Sequence, residues 1–259
     1  MMPMMSRAVT RFEAKLRNED GSEARQARVV VRRIRAQLGL ANDRFDPDWV
    51  WLLRRELRWV EQAIGDVADA DALVCWVRRQ ELDDRDEKAR ADLVAELVRE
   101  RSRAHRRLVA LLDSARWERM VRDLARPFHP PADLAKTVRR EWRSLKAAVS
   151  SAGENPGDQD LHRLATRVDR VRHGAELSKD GARWAKALGE LRDAVDALQE
   201  ASLAQGWLRH AAGTPTVSWD LLSGQLLERA RCAESAWWQE WAVRWERARA
   251  KDMRAWLKA

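Results

Sequence analysis

Arg25, Arg28, Arg32 and Arg35 recur at three- and four-residue spacing, which on a helix lines four guanidinium groups along one stripe. No acid interrupts residues 25–40. A row of planar, permanently charged forks is suited to holding phosphate oxygens, not to breaking bonds. Ala27, Val31, Ile34 and Leu38 form the neighbouring stripe, so one side of this helix can enter a core while the arginines face a cleft or solvent.

Other candidate chemistry is weaker. His162, Thr166, Asp169 and His173 share a helix face, but about three turns separate the two histidines, too far for one metal ion without a bend. Asp83, Asp84 and Asp86 around Arg85 superficially resemble the acid-rich magnesium motif of all-α isoprenoid-diphosphate enzymes. They have no second acidic motif at the matching place, and a loop capping the helix from Lys88 is the simpler account. Ser22, Ser144, Cys75 and Cys232 have no histidine and acid at a recognisable spacing, and there is no glycine-rich phosphate loop. No catalytic residue, metal site or cofactor is therefore expected, and the protein reads as a binding module and not an enzyme.

Composition points the same way. Lys+Arg at 49 against Asp+Glu at 41 leaves a formal charge of +8 over 259 residues, a balance that favours anionic partners. The chain is long enough to bury a sizeable core. Met1 to Met5 is too short for a secretory signal and no later apolar run could cross a bilayer, so a reducing cytoplasm is the expected location and no membrane insertion is expected.

The elements that must carry the arginines read as helices throughout. Asn18, Asp20 and Ser22 offer caps ahead of the arginine helix, and Asp46-Pro47 is a capping acid before a first-position proline. Helices are expected from Trp49 to Ile64, ending near Gly65, then from Asp66 to Leu82, from Lys88 to Leu112, and from Trp117 to Arg126. Pro127, Pro130 and Pro131 stop the pattern and are the expected boundary between two halves, 6–126 and 132–259. Further helices fit 132–151, Leu161 to Leu177, Ala182 to His210 with a break near its middle, and Trp219 to Lys258, with a loop at Gly153–Gly157. No stretch alternates like a strand, so the fold class is all-α. Of 14 tryptophans, Trp237, Trp238, Trp241 and Trp245 share one helix, where they read as core and rim anchors. The halves also resemble each other: 25–35 laid over 162–172 matches Val31 with Val168, Arg33 with Arg170, Ile34 with Val171 and Arg35 with Arg172, and Asp69 then falls near Gln199 and Glu200.

These residues bring a family into view. The chain resembles the CHAD family, the conserved histidine α-helical domain, whose first motif looks like His-x-x-Arg-Val-x-x-Arg-Arg-x-Arg; Arg28, Val29, Arg32, Arg33 and Arg35 match it here. The resemblance continues through Leu57-Arg58-Trp59-Val60, the segment Gly65 to Asp71, the segment Ala104 to Ser114, Leu161-His162, Arg170-Val171-Arg172 and the tail from Trp241 to Leu257. It implies a single domain over 1–259, built from two four-helix-bundle-like halves about a pseudo-twofold axis. It also implies that Arg25, Arg28, Arg32, Arg33, Arg35, Arg58, His162, Arg170 and Arg172 line a shared groove that binds inorganic polyphosphate, a ligand found in cytoplasmic granules. Four departures stand out. The leading histidine is Arg25, the arginine before Asp69 is Ala68, and two basic positions of the second half read Ala165 and Asp169. They predict an asymmetric groove, and they leave Asp69 without its expected neighbour.

Three functions follow from this reading. The first is polyphosphate binding through an arginine-lined groove. The second is a helical adaptor that has lost the ligand and holds a protein partner on its tryptophan-rich C-terminal helix. The third is general nucleic-acid binding, which rests on net charge alone.

Overall fold

The structure, a computed structural model, describes residues 4–18, 21–41, 45–127, 129–153, 156–212 and 220–258. Met1, Met2 and Pro3, the Asp20 cap, Phe128 and Trp219, and Glu154 and Asn155 of the expected loop, lie outside the described residues. The described chain runs α1(Met4–Leu16), α2(Gly21–Leu40), α3(Pro47–Arg78), α4(Glu87–Leu112), α5(Ala115–Asp123), α6(Leu134–Ala152), α7(Asp158–Ala175), α8(Ala182–Ala212) and α9(Asp220–Ala248). Short 3₁₀ turns cover Asp84–Asp86 and Asp252–Lys258, and there is no strand among the described residues. The all-α reading holds.

Local chemistry explains the starts and stops. Asp46 Oδ1 accepts from the amides of Asp48 (2.8 Å) and Trp49 (3.1 Å) with Pro47 in the first turn, so α3 begins where the sequence put a cap. Ser114 Oγ accepts from Trp117 N at 3.2 Å and Asp133 Oδ1 from Lys136 N at 2.8 Å, which fixes the starts of α5 and α6. Gly153 closes α6 at φ 66°, a conformation that side chains disfavour.

Three boundaries differ from the sequence reading. Gly65 does not end a helix: α3 runs unbroken for 32 residues, roughly 48 Å at 1.5 Å per residue. The missing side chain serves packing, because a Cβ on Gly65 would come within 3.4 Å of the Arg28 guanidinium carbon. The expected break in α8 is also absent. This helix is covered by α7, α9 and α3, and tertiary contact on several sides outweighs the weak helix preference of Gly189 and Gly206. The last segment is not one helix to Lys258; α9 ends at Ala248, and the following 3₁₀ turn brings Met253 and Leu257 back onto the core. The sequence reading also assigned no helix to α1, whose Met5, Val9 and Leu16 are buried. His105 Nε2 donates to Leu16 O at 3.0 Å, tying α4 to the end of α1.

The order of packing in the first half, α1 on α2, α2 on α3 and α3 on α4, recurs as α6 on α7, α7 on α8 and α8 on α9. Each half buries its own core: Leu57, Val60, Ile64 and Trp117 belong to one, Trp142, Trp184, Leu188 and Leu191 to the other. A third core joins them at the far end, where Val74, Leu97, Leu208 and Leu226 bring α3, α4, α8 and α9 together. Nearer the middle α2 lies against α7. That crossing places the arginine stripe at the seam between the halves.

Candidate functional site

The stripe does not remain one surface. Arg28 Nη1 bonds Asp69 at 2.5 Å, so Asp69 has a cationic partner after all, supplied by α2 and not by its own helix. Arg32 Nε and Arg35 Nη2 both reach Glu61, at 3.0 and 2.9 Å. Arg33 points elsewhere, to Glu176 at 3.3 Å. The acids missing from α2 come from α3, one helix away.

Opposite Arg32, Asp169 meets Arg192 of α8 at 3.1 Å; Arg192 is 3% exposed and also pairs with Asp196 at 2.7 Å. Burial alone would lower the basicity of Arg192, and the carboxylates of Asp169 and Asp196 reverse that, leaving it raised. The overlay of 25–35 on 162–172 sets Arg32 on Asp169. Their partners then set Glu61 on Arg192, with buried Leu57, Val60 and Ile64 falling on buried Leu188, Leu191 and Val195. The seam holds the same ion pair twice with its signs exchanged. Asp169 pairs with neither Arg170 nor Arg172, its neighbours on α7: Arg170 lies near Glu141 (3.4 Å) and Arg172 binds Glu176 (3.1 Å). Arg32 bridges the halves by reaching Asp196 at 3.4 Å.

Two openings border this group of charges. One is a cleft of about 630 Å³ whose walls include Arg25, Arg28, Arg32 and His162, together with the carboxylates of Asp69, Asp158, Asp193, Asp196 and Glu200. Five acids face three guanidinium groups there. Burial and the neighbouring Asp196 raise the Asp193 carboxyl above its usual range.

The other opening is a recess of about 30 Å³ lined by Arg32, Arg35, Arg54, Arg58 and Arg170, with Thr166 and Asp169. Arg32 is common to both linings. Arg35 is held by Glu61, and Arg170 shares Glu141 with Arg167 and Arg140. Among the described residues Arg54 and Arg58 have no ion pair within 4.0 Å, and Arg54 Nε is buried without a hydrogen-bond partner. Partial burial, then the cations of Arg170, Arg35 and Arg58, push Arg54 down to about 10. Burial contributes most to that shift and the neighbouring cations add to it. His162 is lowered by burial first and then by Arg35, Arg32 and Arg58, against the opposing pull of Glu61.

The nine residues singled out from sequence thus fall into three places. Arg25, Arg28 and His162 line the mixed cleft; Arg35, Arg58 and Arg170 line the recess, with Arg32 between; Arg33 and Arg172 face a separate depression with Glu176, Lys186 and Glu190. Sequence reasoning missed Arg54, although it stands one helical turn before Arg58, and it missed Arg192, Glu61 and Glu141. His173 bonds Glu176 (3.0 Å), Asp169 bonds Arg192, and among the described residues no group of three or more His, Cys, Asp or Glu could hold a metal. The acidic turn is not a side-chain cap: Asp86 precedes α4 without bonding its amides. The four C-terminal tryptophans pack on the second core, Trp241 within it and Trp237, Trp238 and Trp245 against it, with Trp241 stacked on Trp245 at 6.0 Å.

A bundle of long helices with arginines from both halves at its seam defines an all-α class of protein. The CHAD domain family matches residues 5–209, and the chain belongs to it. No curated protein matches it in sequence. Among solved structures it is similar to PptA from Streptomyces chartreusis, at 23% identity and a TM-score of 0.74 over 93% of this chain and 96% of that one. It is also similar to the CHAD domain from the plant Ricinus communis, at 20% identity and a TM-score of 0.62 over 98% and 88%. These likenesses establish the fold. Among the described residues no helix is long and apolar enough to cross a membrane.

Proposed function

We propose that this protein binds inorganic polyphosphate without chemical turnover, and that the ligand is held at the recess of Arg35, Arg54, Arg58 and Arg170. The observation that carries this reading is the pair Arg54 and Arg58, two guanidinium groups without a carboxylate in a setting crowded with further cations. A phosphate chain supplies the missing counter-charge, and each guanidinium offers it paired donors. Membership in a family associated with polyphosphate supports the choice of polyanion. The mixed cleft offers less, because its acids outnumber its arginines. Retention at polyphosphate granules in the cytoplasm follows from this function.

The test is a titration of the whole protein with long-chain polyphosphate at 50 and 200 mM salt, beside the double variant Arg54→Glu, Arg58→Glu. Three phosphate contacts at about 0.7 released counterions each predict a roughly twentyfold weakening across that salt range. Binding by the folded double variant equal to that of the parent would sink the proposal. RNA competing as well as polyphosphate would point instead to general nucleic-acid binding.

A further inference from the structure

We infer that the outer face of the first half, where α5 packs beside α3, docks on a lipid bilayer with anionic headgroups without crossing it. Two adjacent apolar side chains mark the place. Trp51 is 63% exposed and Leu52 41%, on a helix that buries the next residue, Leu53, and Leu57 one turn further on. A lone exposed leucine is ordinary, but a tryptophan and a leucine side by side on the crest of a helix form a patch that the described chain leaves in water.

The surroundings indicate what covers it. Three indoles of α3 each carry a guanidinium over the ring: Arg55 over Trp51 at 5.1 Å, Arg116 over Trp59 at 3.9 Å and Arg126 over Trp49 at 4.8 Å. Arg116 belongs to α5 and Arg126 follows it, so two elements build the row. Glu56 is answered twice, by Arg55 at 3.4 Å and by Arg116, and the bond from Arg116 holds its carboxyl below the ordinary range. Arg58 and Arg119 are exposed on the same two helices. Asp46 and Asp48, at the edge of the face, sit at the positive end of the α3 dipole, which offsets part of their charge. Apolar tips beside arginines, with amphipathic indoles between them, suit the boundary between headgroup phosphates and acyl chains.

Other occupants fit less well. A second copy set on this face across a twofold axis would bring arginines against arginines. A peptide calls for a groove or a strand edge, and neither Trp51 nor Leu52 lines the cleft, the recess or the depression beside Glu176. Single-stranded nucleic acid calls for successive open ring faces, and Trp49 and Trp59 are half-buried under their arginines. A bilayer needs neither groove nor register.

The test is co-sedimentation of the whole protein with vesicles of phosphatidylcholine alone, or with about a third of the lipid replaced by phosphatidylglycerol. Binding to the anionic vesicles and none to the neutral ones is expected. Trp51→Ala with Leu52→Ala, which leaves the charge unchanged, should weaken binding about tenfold or more, and Trp51→Phe should retain most of it. Both side chains are exposed, so the circular dichroism of the double variant should match that of the parent. Arg55→Gln with Arg116→Gln should weaken binding roughly 25-fold, two cations at about fivefold each. The matched control is Arg99→Gln with Arg103→Gln on α4, where the two arginines share Glu96 as Arg55 and Arg116 share Glu56. Arg101, between them, meets Asp71, about 18 Å beyond Trp59 along α3, so the control should change binding by less than about threefold. Equal binding by the parent and the Trp51→Ala, Leu52→Ala variant, or no binding of anionic vesicles at all, would overturn docking on a bilayer. A dimer of the parent that this variant loses would assign the face to a second copy instead.

Discussion

The recess and the cleft share Arg32 and draw on α2, α3 and α7, the cleft adding α8 and α9, and they differ in where their carboxylates are placed. Near the recess the acids Glu61 and Glu141 are buried beneath the arginines they hold, and Arg54 and Arg58 are left over. In the cleft Asp69, Asp158, Asp193, Asp196 and Glu200 stand in the wall beside Arg25, Arg28 and Arg32. The proposed anion site rests not on the number of arginines but on the two, Arg54 and Arg58, that have no carboxylate partner among the described residues.

The comparison can be broken first at the paired charges bordering the two openings. Asp169→Ala leaves Arg192 buried with half its countercharge, and Arg192→Ala strands Asp169; each is expected to cost about 3–5 kcal/mol, read by denaturant unfolding. Exchanging both signs, Asp169→Arg with Arg192→Glu, should recover a large part of that loss by reproducing the Arg32–Glu61 arrangement, and a double variant no better than its singles would refute the equivalence. Next comes binding. Arg54→Glu with Arg58→Glu should weaken polyphosphate about a hundredfold or more, on the scale of two lost charge-assisted contacts. Arg25→Glu with Arg28→Glu in the cleft should change it by less than about threefold beyond the salt-dependent loss of net charge. Equal effects at both sites would erase the distinction drawn here.

A smaller effect tests the cost of unanswered charge. Arg54 is held below its ordinary value, so the folded chain binds its proton less firmly than the unfolded chain. Stability attached to this group is therefore lost as pH falls from the ordinary arginine range to about 10, and the whole penalty is present at neutral pH. Arg54→Gln is expected to stabilise the free protein by about 1 kcal/mol once solvent screening of a half-exposed group is allowed for, or roughly 2–4 °C in Tm, while weakening the ligand. The smallest effect concerns His162, which burial and then the cations of Arg35, Arg32 and Arg58 hold below its usual range. Stability from this group is lost as pH falls below about 6.5, where the unfolded chain takes up the proton first. A polyanion in the recess offsets those cations and should raise the imidazole's titration midpoint, which an NMR pH titration with and without tripolyphosphate would show.

Much of the fold was legible because helices announce themselves locally. Asp46-Pro47 caps where its types predicted, and the stripe of Ala27, Val31, Ile34 and Leu38 is buried as its spacing required. Gly65 misled because its cost within a helix is local and its compensation, the Arg28 guanidinium, comes from another helix. The same limit applied to the site. Spacing put four arginines on one stripe of α2, but their destinations were decided by Glu61, Asp69 and Asp196 on α3 and α8. Asp169 looked like a lost cation when read alone; with Arg192 across from it, the charge has been exchanged and not removed.

That exchange also bears on how the halves choose each other. Arg32 finds Asp196 across the seam, and the register that lays Glu61 on Arg192 lays Gly65 on Asp196. Two copies of the first half would therefore offer each other a guanidinium and a bare glycine, while two copies of the second would offer only acids to acids at those positions. The pair of unlike halves is the combination in which Arg32 meets a carboxylate across the seam while Asp169 is answered within its own half, so the seam disfavours self-pairing, and halves expressed as separate chains should join as heterodimers in preference to homodimers.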